Sequence, residues 1–350
     1  MNRFFSLVVL FCFAFCARTT HAAFINGQNY IPLADWARLH DLEVRWLKRG
    51  ETVAATNHTT RLIFNADSAE VEINSVQVRL SFPFAVLKNV PLIAQFDLDT
   101  TIRPLLFSRF VEPKIIKTIC LDPGHGGKDS GNRVGLHYEK NYTLPLAFEL
   151  RDQLKQLGFK VVLTRSRDVY VDLPARPAIA NKRGADLFIS LHFNATATGR
   201  DEAEGPETYC ITPVGVNSSN ASVENGEFGS TVGAGPTVAN RNESKSLLLA
   251  YQVEKSLVQN LNANDRGVKR ARFAVLRDAA MPAILIEGGF MTHPPEANKI
   301  YDANWRRQLA AAIVKGVLDY QKLTTPPAVQ PALPATNQPA AKTLTPTNSP

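Results

Sequence analysis

From about Lys114 onward, short unbroken apolar runs alternate with amphipathic helical patterns, and this alternation constrains the fold more than any other feature of the chain. Ile115 to Leu121, Lys160 to Thr164, Asp186 to Phe193, Phe273 to Leu276 and Ala283 to Ile286 read as strands. Between and after them, Leu144 to Leu157 reads as a helix. It has Leu146, Leu150, Leu154 and Leu157 at three- and four-residue spacing, and Gly158 as its stop. Arg176 to Lys182, ending at Gly184, is a shorter helix; Ser244 to Leu261 and Asn304 to Tyr320 are longer ones. Strands that alternate with helices predict an α/β fold with a mostly parallel central sheet covered on both faces. The runs Phe188-Ile189-Ser190-Leu191 and Ala283-Ile284-Leu285-Ile286, apolar on both sides, suit such a sheet.

Ligand sites of open α/β sheets collect just past the carboxyl ends of the strands. After Ile119-Cys120-Leu121 comes Asp122-Pro123-Gly124-His125-Gly126-Gly127. His192 stands at the end of Phe188 to Leu191, and Glu287-Gly288-Gly289-Phe290 follows Ala283 to Ile286. Three strands thus bring two histidines and a carboxylate to one rim, and Glu139 reaches it from the loop before the first long helix. Two imidazoles and a carboxylate are the ligand set of many catalytic zinc sites, which keep a fourth position open for water. A further carboxylate can then move the proton of that water. Taken singly, a histidine in a Gly-rich turn is commonly structural, and a Glu after a strand is commonly a cap or a surface group. Four such residues at the exits of one α/β unit favour a metal hydrolase. A serine hydrolase is excluded by the lack of a Gly-x-Ser-x-Gly elbow.

The same stretches carry a resemblance. Leu121 to Asp129, Glu139-Lys140, Leu163-Thr164-Arg165 with Asp168, Asn181, and Ala185 to Ala195 resemble, in order and interval, the N-acetylmuramoyl-L-alanine amidase type 3 family. So do Glu207-Thr208-Tyr209, Arg266 to Lys269, Val275 to Arg277 and Met281 to Phe290. The resemblance covers about residues 115 to 321. It implies a zinc-dependent hydrolase of the amide between N-acetylmuramic acid and L-alanine in peptidoglycan. In that family's terms His125, Glu139 and His192 would bind Zn²⁺, and Glu287 would be the catalytic carboxylate. The competing expectations are a peptidoglycan-binding protein without activity and a zinc peptidase that cuts a different cell-wall amide. Some members carry an inhibitory helix in the insertion before the long helix; Val214 to Arg241 lacks apolar helical periodicity and is expected to be a loop. Arg176 and Arg277 are candidates for contact with stem-peptide carboxylates, with local ion pairs as the alternative.

The rest of the chain divides into three further segments. Residues 1–22 have an early base, an apolar run from Phe4 to Cys16 and small residues before Ala23. That is the layout of a secretory signal peptide, and the run is too short to span a bilayer. The expected destination is export to the periplasm or cell envelope, with no stable membrane insertion. Residues 23–110 are expected to form a small α+β accessory domain. A strand pair surrounds Asn26-Gly27, a short helix carries Trp36, Leu39 and Leu42 on one face, and period-2 alternation returns at Val71, Ile73, Val76, Val78 and Leu80. This segment is similar to the copper amine oxidase N-terminal-like domain, yet His40 and His58 are isolated and form no metal cluster. Contact with the wall or with a regulatory protein is its expected use, and a plain spacer the alternative. Residues 111–323 form the catalytic domain. Residues 324–350, rich in Pro, Ala and Thr, cannot offset their ordering entropy by burial and are expected to be a disordered tail. The formal charge of +7 has no clustered stripe or aromatic ladder behind it, so no nucleic-acid partner is expected. Cys120 and Cys210 lie in apolar runs of an exported chain, where a bridge and two buried thiols are equally open.

Overall fold

The computed structural model describes residues 22–107, 114–197, 202–216, 218 and 235–325. The expectations for the leader, the tail and most of the Val214 to Arg241 insertion lie outside the described residues.

The N-terminal part is a succession of hairpins. Strands β1 (Ala23–Ile25) and β2 (Gln28–Pro32) pair through Asn26 and Gly27, at φ 47° and 79°, the left-handed pair that a tight two-residue hairpin requires. Helix α1 (Leu33–Arg38) buries Leu33, Trp36 and Ala37. The expected apolar face ends there: Leu39 terminates the helix and is 79% exposed, while Leu42 is buried beyond it. Strands β3 (Glu43–Lys48), β4 (Thr52–Thr56), β5 (Arg61–Asn65), β6 (Glu70–Ile73) and β7 (Val76–Arg79) form an antiparallel meander. Val71, Ile73, Val76, Val78 and Leu80 all point into the core, as their alternation predicts. Strands β8 (Ala85–Leu87) and β9 (Val90–Ala94) join β1 and β2 in a separate four-stranded sheet. Helix α2 (Gln95–Asp97) continues through a five-residue π-type stretch, Leu98–Ile102, into α3 (Arg103–Leu106).

The parallel part follows. It comprises β10 (Thr118–Pro123), the small hairpin β11 (Arg133–Val134) and β12 (His137–Tyr138), α4 (Lys140–Gln156), β13 (Lys160–Leu163), α5 (Ala175–Lys182), β14 (Leu187–Asn194) and β15 (Glu207–Cys210). After the insertion come α6 (Glu243–Leu261), β16 (Val268–Arg270), α7 (Ala274–Arg277), β17 (Ala283–Phe290), α8 (Pro294–Tyr301) and α9 (Ala303–Thr324). Strands β13, β10, β14 and β17 are parallel neighbours, and β15 adds to β17 antiparallel. The sheet is α/β and mostly parallel at its centre, and its two faces bury different side chains. Ile119, Leu121, Leu187, Ile189, Leu191 and Ile286 enter one core with α4, α6 and α9. Cys120, Phe188 and Leu285 enter the other with α5 and α7. Each fully buried aliphatic side chain in these runs contributes about 1.5–3 kcal/mol.

Two expectations for the parallel part are corrected. Phe273 to Leu276 is not a strand: Ala274–Arg277 is one helical turn, with Val275 and Leu276 buried in the second core. Four apolar residues fit a buried turn as well as a strand, so periodicity cannot separate the two. Leu157 is not part of the packed face of α4 but its exposed terminus, with Gly158 at φ 89° turning the chain. The cysteines are both buried and free. Cys120 lies on β10 and Cys210 on β15, with β14 and β17 between them. Three strand spacings separate them by roughly 14 Å, far beyond the reach of a disulfide. Burial pushes the thiol of Cys210 up to about 11 and that of Cys120 higher still.

The two parts are joined edge to edge. Strand β16 pairs with β7 in parallel through Val268 and Val78, so the long sheet runs β13-β10-β14-β17-β15-β16-β7-β6-β5-β4-β3. Beside that joint the Gln77 backbone N–H donates to Asp265 Oδ2 at 2.6 Å, Tyr251 Oη to the Ile73 carbonyl at 2.9 Å and Arg270 Nη2 to the Thr100 carbonyl at 2.7 Å.

Candidate metal centre

Successive side chains of a strand alternate between faces, so Asp122 shares the face of Cys120, His192 that of Phe188 and Glu287 that of Leu285. The parallel register sets Asp122 opposite Ser190 and His192 opposite Glu287, and the antiparallel register sets Glu207 on the other side of Glu287. A row of polar groups therefore crosses the carboxyl ends of β10, β14 and β17 and the amino end of the antiparallel β15. A cleft of about 470 Å³ opens above it, with His125 and His192 in its lining.

The turn after β10 is built to hold His125. His125 has φ 61°, a left-handed conformation that costs a non-glycine residue free energy and needs surrounding support. Two buried arginines supply it. Arg176 donates to Asp122 Oδ1 at 2.9 Å and to the carbonyls of Pro123 and His125 at 3.0 Å each. Arg165 donates to the Pro123 carbonyl at 3.0 Å and the Gly124 carbonyl at 2.8 Å. Asp122 is completed by Thr164 Oγ1 at 2.6 Å and Ser190 Oγ at 2.8 Å. Burial opposes its charge, but Arg176 and the two hydroxyls outweigh burial and hold its carboxyl below the ordinary range. Arg176 is thus committed to the scaffold, which decides in favour of the local-ion-pair reading. Arg277 closes α7 and is not among the residues lining the cleft.

Glu139 immediately precedes α4 and is fully buried. One oxygen lies 2.9 Å from His192 Nδ1 and accepts from the Phe193 backbone at 3.0 Å. The other lies 3.0 Å from His125 Nε2 and accepts from the Asn132 backbone at 3.0 Å. Ligand atoms of His125, Glu139 and His192 all lie within 4.8 Å of one another. The cluster is closely cradled. A Cβ on Gly124 would fall 2.3 Å from the His192 ring, and one on Gly131 would fall 2.5 Å from the His125 ring and 2.6 Å from Glu139. Burial disfavours a charged His125, yet Glu139 and Asp129 outweigh it and hold its pKa up at about 10; Glu139 in turn is held low by His125 and His192. Two imidazoles and a buried carboxylate converging in this way fit a divalent metal of the borderline-soft kind.

Asp129, to which the sequence alone assigns no role, packs against the cluster. Both of its oxygens lie 2.9 Å from His125 Nδ1, which leaves Nε2 aimed into the cluster, the usual arrangement around a metal-binding imidazole. Its signal was a carboxylate four residues after the histidine. Glu287 sits beside the cluster, 4% exposed, and its Oε2 has no hydrogen-bond partner among the described residues. Burial, then the charges of Glu139 and Glu207, raise its pKa well above that of an ordinary carboxyl. Glu207 is itself paired with Lys269 and with Arg266 at 2.9 Å, and it accepts from the Tyr209 hydroxyl at 2.7 Å.

A parallel sheet that carries a buried His-Glu-His cluster at its carboxyl rim, with a separate buried carboxylate alongside, defines the class of α/β metal-site proteins. Residues 119–319 match the family described as N-acetylmuramoyl-L-alanine amidase, which is over half of the chain, and the protein belongs to that family. It is 36% identical over 219 residues to N-acetylmuramoyl-L-alanine amidase AmiC of Neisseria meningitidis serogroup B, covering 58% of this chain and 52% of that one. It is 31% identical over 222 residues to AmiA of Escherichia coli K12, covering 58% of this chain and 76% of the relative. Among solved structures, an N-acetylmuramoyl-L-alanine amidase from Clostridium difficile 630 is 33% identical, with 60% of this chain and 98% of that chain covered and a TM-score of 0.47. The chain spans about half the length of the Neisseria relative.

Proposed function

We propose that the protein is a zinc-dependent N-acetylmuramoyl-L-alanine amidase that releases stem peptides from peptidoglycan. The observation that carries this reading is the buried convergence of His125, Glu139 and His192 under the cleft, with Glu287 in register beside His192. Zinc held by those three side chains would lower the pKa of a water toward neutrality and polarise the scissile lactyl carbonyl. Glu287 takes the proton of the attacking water and returns it to the alanine nitrogen as the amide breaks. Burial and the neighbouring charges of Glu139 and Glu207 favour the protonated form, which is the state a proton donor to a leaving amine must reach. Asp129 keeps His125 in one tautomer, and Arg165 and Arg176 keep the turn that carries it in place.

In this reading residues 1–22 are a cleaved leader that directs the enzyme to the periplasm or cell envelope. Among the described residues no helix is long and apolar enough to cross a membrane. Residues 23–110 are the accessory domain that meets wall or a regulatory protein, residues 111–323 the catalytic domain and residues 324–350 the tail. The test is to incubate the mature chain with purified sacculi, with and without a chelator that zinc reverses, and to identify products by mass spectrometry. Free stem peptides with an L-alanine amino terminus are expected, and only in the metal-replete sample. Cut glycan strands, or cuts within the peptide, overturn the assignment.

A further inference from the structure

Most of the charge around the cleft is already spent. Arg176 is paired with Asp122 and donates to three backbone carbonyls, counting that of Val171 at 3.1 Å. Asp129 is held by His125 and by the Gly131 backbone N–H at 3.0 Å. Lys140 donates to the Gly127 carbonyl at 2.8 Å and to Asp168 Oδ2 at 2.7 Å. Lys128 is different. It lines the cleft, is exposed, and has no carboxylate partner among the described residues; its ammonium stands 4.6 Å from the centroid of the Tyr170 ring, which lines the same cleft.

The backbone that presents Lys128 is fixed. The peptide before it is held by the Gly127 carbonyl, which accepts from Lys140 at 2.8 Å, and the peptide after it by the Asp129 N–H, which donates to the Gly126 carbonyl at 3.2 Å. His125 lies three residues back on the same turn. A cation over an aromatic face keeps its charge while losing part of its hydration, and it can leave the ring for an anion at small cost. Among the described residues, Lys128 thus offers a positive charge without a carboxylate partner in the same cleft that His125 and His192 line.

Resting on the amidase reading above, the geometry points to Lys128, positioned by Tyr170, as the group that binds the free α-carboxylate of the second stem-peptide residue. The stem peptide continues from L-alanine to a γ-linked D-glutamate whose α-carboxylate is either free or amidated. That carboxylate lies one residue beyond the scissile nitrogen, roughly 4–7 Å away along an extended chain. A lysine on the wall beside the cluster can meet it, whereas an amide in its place offers no charge. Lys128 is therefore a specificity residue that separates D-glutamate stems from D-isoglutamine stems.

The test uses two muramyl peptides that differ only in that α-carboxyl group, free in one and amidated in the other, and compares kcat/KM for each within a single enzyme variant. The wild-type chain is expected to prefer the free acid about tenfold, the worth of one charge-assisted hydrogen bond. Lys128→Met should bring the ratio near one, Lys128→Arg should retain the preference, and Lys128→Glu should reverse it. Tyr170→Ala, which frees the ammonium from its platform, should lower the ratio by a smaller factor. Because each ratio is internal to one protein, partial misfolding scales both rates and leaves it unchanged. A wild-type ratio of one, or a Lys128→Met ratio equal to that of the wild type, overturns the inference and leaves the amidase reading standing. Release of stem peptide from neither substrate by the wild-type, metal-replete chain overturns the amidase reading itself.

Discussion

The antiparallel half of the long sheet and its parallel half use similar aliphatic residues, yet they differ in what else they bury. Among the described residues up to 107, the buried polar side chains are Asp97 and Thr101. The parallel half buries Asp122, Glu139, Arg176, His192, Glu207 and Glu287 within a few strands of one another. Desolvating such groups is costly unless each is paired or hydrogen-bonded, so they persist where something other than stability maintains them. One half of the sheet is apolar packing with exposed hairpin turns. The other supports a polar layer at its carboxyl rim that stability alone would not select.

The largest expected effect lies in that layer. Glu287→Gln should reduce stem-peptide release by about 10³-fold or more, while metal content measured by plasma mass spectrometry stays near that of the wild type. His125→Ala should lose the metal along with activity; retention of metal by that variant would break the contrast between ligand and proton carrier. Next in size is the scaffold. Arg176→Met leaves Asp122 buried without its cation and should cost about 3–5 kcal/mol in urea unfolding. The sign of the pH dependence follows from the same pair. The carboxyl of Asp122 is held below its unfolded value, so its contribution is complete above the unfolded pKa of about 4 and is lost as pH falls through the lower folded value. Arg176→Met should accordingly flatten the acid limb of stability measured from pH 5 to pH 2.

Smaller effects belong to the antiparallel half. Ile73→Val, deep in the meander, should cost about 0.5–1.5 kcal/mol with kcat unchanged. A change in kcat there would mean that the two halves are coupled through the Val78–Val268 joint. Leu39→Ser should move stability by less than about 0.5 kcal/mol, since that side chain is 79% exposed.

The same contrast governs what the sequence reveals. Hairpins announce themselves locally, by Asn26-Gly27 and by alternation in β6 and β7. His125, His192 and Glu287 were legible because each follows an apolar run whose direction fixes where the chain next emerges, and Glu139 because it stands just ahead of the first long helix. Elements whose identity depends on distant partners were not legible. Strand β16 is three residues long and owes its existence to β15 and to β7, nearly two hundred residues upstream. Strands β11 and β12 pair locally, among the described residues only with each other, and at two residues apiece are too short for alternation to mark them. The turn at Ala274–Arg277 has the sequence of a strand because its apolar residues face a core that both states would fill. Asp129 was visible as a residue, but its role depends on the left-handed turn at His125 that bends it back onto the imidazole.

The parallel joint between β7 and β16 also sets an order of events. A chain made from its amino terminus completes the meander early, with the β7 edge unpaired until Val268 exists to cover it. Open strand edges recruit other strands, and contacts so distant in sequence form slowly. Truncations that end before residue 268 are therefore expected to aggregate through β7, and refolding of the whole chain should be limited by the arrival of a three-residue strand.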